Sequence, residues 1–177
     1  MALGCFHDTV YLFVTGSYAH DVYIGYLGVI GCFLFLISAS YGQLDGIFDD
    51  RSKENRKYRI LALAAPIAMM LLYFLSLSVV SRSPVMKVVN FAAWLPMIIA
   101  SYFNFKHAIL PDGGFAFVNA VRPYNVAATI FGYAEITYLT MYQLEKPKMV
   151  VVCAVILAVS ACSMMYFAKR GAEKWTI

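Results

Sequence analysis

Asn90-Phe91-Ala92-Ala93-Trp94-Leu95-Pro96 lies at the centre of the chain, inside the third of five apolar segments, and its reading decides the fold. Asn90 and Trp94 stand four residues apart, so on a helix they share one face. The run around them, Val88 to about Phe105, carries no charge until Lys106 and His107 close it. An uncharged run of this length is close to the ~20 residues that a helix needs to cross ~30 Å of hydrocarbon.

The same pattern recurs on both sides. Val22 to Tyr41 is uncharged, with Gly25, Gly28 and Gly31 at a spacing that suits close helix packing in lipid. Ile60 to Val80 is uncharged and contains Pro66, which a membrane helix tolerates with a bend. Tyr124 to Leu144 carries one acidic residue, Glu135, and Met149 to Ala168 carries none. The expected architecture is an all-α membrane protein, a five-helix bundle over residues 22–175. Its spans fall near 22–41, 60–80, 88–105, 124–144 and 149–168. Residues 1–21, including the short apolar Thr9–Thr15, are expected to form a surface segment. No signal peptide is expected, because no Lys or Arg precedes the first apolar run.

Composition agrees with the segments. The chain is 62% hydrophobic and 14% charged, against about 45–50% and about 25% in soluble domains. No basic stripe with interleaved aromatics is present, so a nucleic-acid partner is not implied. Cys5, Cys32, Cys153 and Cys162 are scattered without a Cys-x-x-Cys pair, and His7, His20 and His107 do not cluster. No metal site is expected from these spacings, and small buried hydrophobes are the simpler role for the cysteines. With five spans, the loops 42–59 and 106–123 and the C-terminus share one side of the membrane. That side carries ten of the Lys and Arg residues, and Arg82, Lys87, Lys146 and Lys148 make four on the other. The positive-inside rule puts the N-terminus outside and the C-terminus inside. The sequence does not name the membrane; an organellar inner or thylakoid membrane is compatible with it.

Glu135 is the only ionisable residue well inside a span. A carboxylate at that depth is expensive and a functional candidate by default. A hydrogen-bonded Glu that locks two helices together is the larger expectation, because a proton relay needs a chain of such groups. Asn90, Asn104, Thr129, Thr137, Thr140 and Gln143 are the polar residues expected to bond between helices. No phosphate loop, nucleophile elbow or metal-binding helix motif is present, and nothing points to an enzyme.

Ordered motifs carry a family resemblance. Lys57-Tyr58, Pro66, Tyr73 and Ser76 are followed by Asn90-Phe91-Ala92-Ala93-Trp94-Leu95, then Ile130-Phe131-Gly132-Tyr133-Ala134-Glu135, then Met164-Met165-Tyr166 through Gly171 and Lys174. Their order and spacing over residues 22–175 resemble helices A–E of the microbial (type 1) rhodopsins, proteorhodopsin-like members in particular. The resemblance implies the rhodopsin bundle, truncated after its fifth helix. It also implies losses. Ala93 stands at the family's counterion Asp, Asn90 at its Arg, and Val151 at a retinal-pocket Trp, while Pro96 is not at the family's usual proline position. The retinal-binding Lys belongs to a seventh helix, and no span here contains a lysine. A covalent cofactor is therefore not expected.

Three functional expectations follow. The first is a non-catalytic membrane subunit of a larger energy-transducing or photosynthetic assembly. Other subunits or a second copy would cover the open side of its bundle. The second is a noncovalent site for a carotenoid, retinal or lipid lined by Trp94, Asn90 and Tyr73. The third is an ion or proton transporter that uses Glu135.

Overall fold

The computed structural model describes residues 53–79, 84–111 and 116–175, and every regular element among them is an α-helix. The expected first span, 22–41, and the surface segment, 1–21, lie outside the described residues. The helices are α1 (Arg56–Ala62), α2 (Ala64–Val79), α3 (Pro84–Ile109), α4 (Ala116–Gln143) and α5 (Pro147–Trp175).

The expected second span is therefore two helices, and Pro66 supplies the reason. It has no N–H to bond the carbonyl four residues back, so the ladder is interrupted at that carbonyl. The chain tightens at Leu63, whose N–H bonds Ile60 O at 3.1 Å, and the regular pattern resumes with Ile67 N–H on Leu63 O at 3.1 Å.

α3 and α4 are longer than the apolar runs that announced them, at 26 and 28 residues. α3 starts on Pro84, a residue pre-set for the first helical turn, where its missing N–H costs nothing. Pro96 and Pro123 lie inside α3 and α4 rather than ending them. The segment before Pro123, expected as linker, is the first two turns of α4. α5 likewise continues past Ala168 to Trp175.

The α4–α5 turn has a specific geometry. Glu145 adopts φ 55°, Glu145 N–H bonds Tyr142 O at 3.1 Å and Lys146 N–H bonds Met141 O at 3.0 Å. These are the paired bonds of a Schellman stop, here with Glu where Gly is usual. Pro147 then opens α5.

The helices run up and down in sequence. α3 packs against α1 and α2, α4 against α3, and α5 lies along α4 with no comparable contact to α1–α3. α4 also reaches α2: Tyr133 OH donates to Ala65 O at 2.6 Å, and the Thr140 and Ser76 hydroxyls lie 3.2 Å apart. These two bridges advance in the same direction along both chains, so α2 and α4 are parallel. α4 is thus the central helix. The core joins Met69 and Tyr73 of α2, Trp94, Met97 and Ala100 of α3, Phe131, Ala134, Ile136 and Tyr138 of α4, and Val150, Cys153 and Leu157 of α5.

The outer faces carry the opposite chemistry from a water-soluble bundle. Ile67, Leu71, Phe74 and Leu75 of α2 are exposed, as are Val88 and Phe91 of α3 and Val152, Val155, Val159, Met165 and Tyr166 of α5. Among the described residues, two helical stretches are long and apolar enough to cross a membrane: Arg56–Ser78, which runs through α1 and α2, and Pro147–Glu173 in α5. α3 and α4 rise about 39 and 42 Å, enough length to cross, but they carry most of the buried polar side chains.

Candidate functional site: a polar core within an apolar bundle

Two groups of side chains stand out inside the bundle. The first lies between α2, α3 and α4. Trp94 is 3% exposed and its ring centroid lies 5.0 Å from that of Tyr73, tilted by 56°. Phe91, one turn before Trp94, is 6.4 Å from the same tyrosine. Tilted pairs at such separations place the positive edge of one ring near the negative face of another. The contact forms because Phe91, Trp94 and Ile98 recur along one stripe of α3 while Met69, Tyr73 and Ser76 recur along one stripe of α2.

Tyr73 and Trp94, expected together at a ligand wall, are brought together. They fill the space between their helices with each other. Asn90 lies one turn before Trp94 on α3, and its side chain is outside what the structure describes. Val151 is on the exposed face of α5, away from the Tyr73–Trp94 contact.

Glu135 is 0% exposed, on the central helix between the core residues Ala134 and Ile136. The polar residues around it are tied to backbone. Thr137 Oγ1 donates to Tyr133 O at 2.8 Å and Thr140 Oγ1 to Ile136 O at 2.9 Å, and Thr129 Oγ1 donates to Asn125 O at 2.8 Å. Such bonds back to the preceding turn satisfy a hydroxyl without water, which suits a dry interior. Of the residues expected to bridge helices, Thr140 does so, whereas Thr129 and Thr137 bond within α4.

The second group was not legible in sequence. Lys106 and His107 read as residues that end a span, and Arg122 as part of a linker. In the fold, α3 continues beyond them, and Lys106 is 2% and His107 3% exposed. The Lys106 ammonium lies 5.1 Å from the Phe103 ring centroid and 5.7 Å from that of Tyr102. Both rings are within one turn, where a lysine stem folds back along its own helix. His107 is 6.5 Å from Phe103, ring to ring. Across the turn, Arg122 is half-buried and its Nη2 donates to Leu110 O. Asn104 and Asn125 are each 2% exposed. Asn125 lies three residues after Arg122, on the same face of α4, and its Nδ2 is buried without a hydrogen-bond partner. The signal that could have found this group was Tyr102-Phe103 three and four residues before Lys106, an aromatic bed for a buried ammonium.

Among the described residues, no group of His, Cys, Asp and Glu is placed to hold a metal ion. Cys153 is buried, and Cys162 is exposed on α5 beside a shallow apolar groove lined by Ala158, Val159, Ser163, Tyr166 and Phe167.

No protein-family model, curated protein or solved structure matches the chain.

Proposed function

We propose that this chain is a non-catalytic integral membrane subunit of a larger membrane assembly, energy-transducing or photosynthetic, acting through helix packing and contacts with lipid. The observation that carries the reading is the inside-out distribution of polarity. Val88, Met165 and Leu71 are 68%, 66% and 65% exposed while Glu135 is 0%. Contiguous apolar faces on α2 and α5 would drive association in water, but they are the ordinary outer surface of a bundle in lipid. α5 rests on α4 alone among the described helices. Its other face is apolar and lined by the small side chains Ala158, Cys162 and Ser163, which admit another helix closely. Another subunit, or a second copy, supplies that helix in this reading. The excess of Lys and Arg at the end shared by Arg56, Lys106, Arg122 and Lys169 supports a topology with that end inside and, with a first span at 22–41, the N-terminus outside.

The test is extraction. The chain should stay with membranes in alkaline carbonate and leave them in mild detergent together with defined partners, identified by mass spectrometry. Recovery as a stable monomer with nothing co-purifying would refute the subunit reading.

One observation favours a second reading, an ion or proton transporter: Glu135 is fully buried on the helix that touches α2, α3 and α5. Unchanged flux in liposomes after Glu135→Gln would remove it. A noncovalent carotenoid, retinal or lipid site at Tyr73 and Trp94 gains less support, because the two rings pack on each other. A colourless preparation would count against pigment there. The bundle's likeness to the first five helices of the microbial rhodopsins remains our reading of the quoted motifs.

A further inference from the structure

α5 packs on α4 with one face and leaves the opposite face uncovered. Val150, Cys153, Leu157 and Ser160 are buried on the side towards α4. On the other side Val151, Val155, Ala158, Cys162, Met165 and Lys169 are exposed and recur every three or four residues, which makes them one stripe. Ala158 and Cys162 are the small members of that stripe and open a groove bordered by Val159, Tyr166 and Phe167. The hydroxyl groups nearby do not make the groove polar. Ser163 Oγ donates to Val159 O at 2.8 Å and Ser160 Oγ to Leu157 O at 3.3 Å, both within α5. Small residues four apart let two helices approach closely in lipid. Val155 and Val159 beside them are stiff knobs, since a β-branched side chain has one preferred helical rotamer.

Charge complementarity identifies the occupant. Lys169 and Glu173 extend the stripe beyond its apolar part, one turn apart and both exposed. The face therefore carries a notch, the knobs that fit it, a cation and an anion, which makes it complementary to itself. A bilayer holds all copies of one chain in the same orientation, so a symmetric pair is parallel and presents the same patch from both sides. The three-four spacing suits the shallow crossing of about 20° common in membrane bundles. At that angle the two stripes stay together out to Lys169, and Lys169 of each copy lies within reach of Glu173 of the other. Glu173 also interacts within its own chain; a carboxylate accepts more than one donor, so pairing between copies does not require it to be idle.

We propose that the uncovered face of α5 binds α5 of a second copy of this chain, in parallel, with Ala158 and Cys162 at the crossing and Lys169–Glu173 pairs between the copies. The inference rests on the membrane reading given above and names the partner that it leaves open. The helix of another protein fits only if it brings the same knobs, notch and charges at the same depths, whereas a second copy brings them by identity.

The experiment uses the full chain in phosphatidylcholine liposomes, oxidised with copper phenanthroline and separated on non-reducing gels. Symmetric pairing brings the two Cys162 residues to the separation of a disulfide, about 4.4–6.8 Å between Cα atoms. A cross-linked dimer that Cys162→Ser removes is expected. In the Cys162→Ser chain, Ala158→Cys should restore the cross-link, and Ile156→Cys, exposed but off the stripe, should not. Ala158→Leu fills the notch and should lower the Cys162 dimer about tenfold without lowering the unfolding temperature, because Ala158 is exposed. Lys169→Glu and Glu173→Lys chains should each form about two- to threefold less dimer alone and recover when mixed, since only the mixed pair sets opposite charges against each other. A role of these residues within one chain predicts no such recovery. Absence of a Cys162 dimer overturns the proposal, and so does equal cross-linking through Ile156→Cys. A dimer indifferent to Ala158→Leu and to the charge reversals overturns it as well. A disulfide from Cys162 to Cys32 of the same chain assigns the groove to the segment 22–41 instead, and protection of Cys162 by a different co-purifying protein assigns it to that protein; both results refute pairing of α5 with itself. Release of the chain by alkaline carbonate refutes the membrane reading, whereas a membrane-integral chain with other partners and no Cys162 dimer refutes only this inference.

Discussion

Val159→Lys has opposite consequences in water and in lipid, which makes it the decisive perturbation of the exposed face. Val159 is 62% exposed and lies at the middle of the apolar run 149–168. In a water-soluble bundle, a lysine there would remove an exposed apolar group and add a charge, an effect within about 0.5 kcal/mol on stability. In a bilayer, the same lysine stands near the midplane, about nine residues or 14 Å from either end of the run. A lysine stem spans about half that distance, so snorkelling brings only partial relief. Placing Lys at a helix centre costs about 2.5–3.5 kcal/mol on the insertion scale. That corresponds to a fall of roughly 70- to 400-fold in the insertion equilibrium, at about 1.4 kcal/mol per factor of ten. The assay is a glycosylation-tagged insertion measurement on α5 with its flanking turn, read beside expression of the full chain. Val159→Leu should leave insertion intact. If Val159→Lys inserts as well as the parent and the full-length variant is more soluble, α5 does not face lipid and the membrane reading is wrong.

Four further outcomes are expected. Trp94→Ala should destabilise the bundle by about 3 kcal/mol, the low end for a buried aromatic. A double-mutant cycle with Tyr73→Ala in a denaturing-detergent titration should show coupling of about 0.5–1.5 kcal/mol; no coupling would mean the 5.0 Å ring contact is not energetically real. Tyr133→Phe removes the hydroxyl that bonds Ala65 O and should cost about 0.5–1.5 kcal/mol in the same titration. Glu135→Gln keeps the volume and hydrogen-bonding capacity of the fully buried carboxyl. It should be tolerated better than Glu135→Leu, which leaves a partner unsatisfied at about 1–3 kcal/mol; equal cost for both would identify the charge itself as essential. Glu145→Gly should raise stability by about 1 kcal/mol, because Glu145 holds φ 55° at a position where a Cβ is strained.

The sequence carried the helical class and the apolar runs of α2, α3, α4 and α5, because a run of about twenty apolar residues has few alternatives to a helix. It also marked Trp94, Tyr73 and Glu135 as residues to look for inside the bundle, and all three are buried there. Helix ends were less legible. Pro66 was read as a bend and proved to divide α1 from α2, while Pro123 was read as linker and lies inside α4. A proline says only that one backbone bond is missing, and whether the helix continues past it depends on what packs alongside. Of the five expected spans, the first, 22–41, lies outside the described residues, and two stretches among the described ones, Arg56–Ser78 and Pro147–Glu173, are long and apolar enough to cross a membrane.

Tertiary structure decided which polar residues are inside. Lys106, His107 and Arg122 have the composition of a span boundary, and a boundary residue faces water unless a neighbouring helix covers it. α4 begins two turns earlier than its apolar run, and Arg122, on that added length, reaches Leu110 at the end of α3. The Tyr73–Trp94 contact is likewise a matter of register between α2 and α3, which the spacing within either helix leaves undetermined. Periodicity fixes which residues share a face of one helix. Only the packing of several helices fixes what that face meets, and so turns a span-end lysine into a buried one.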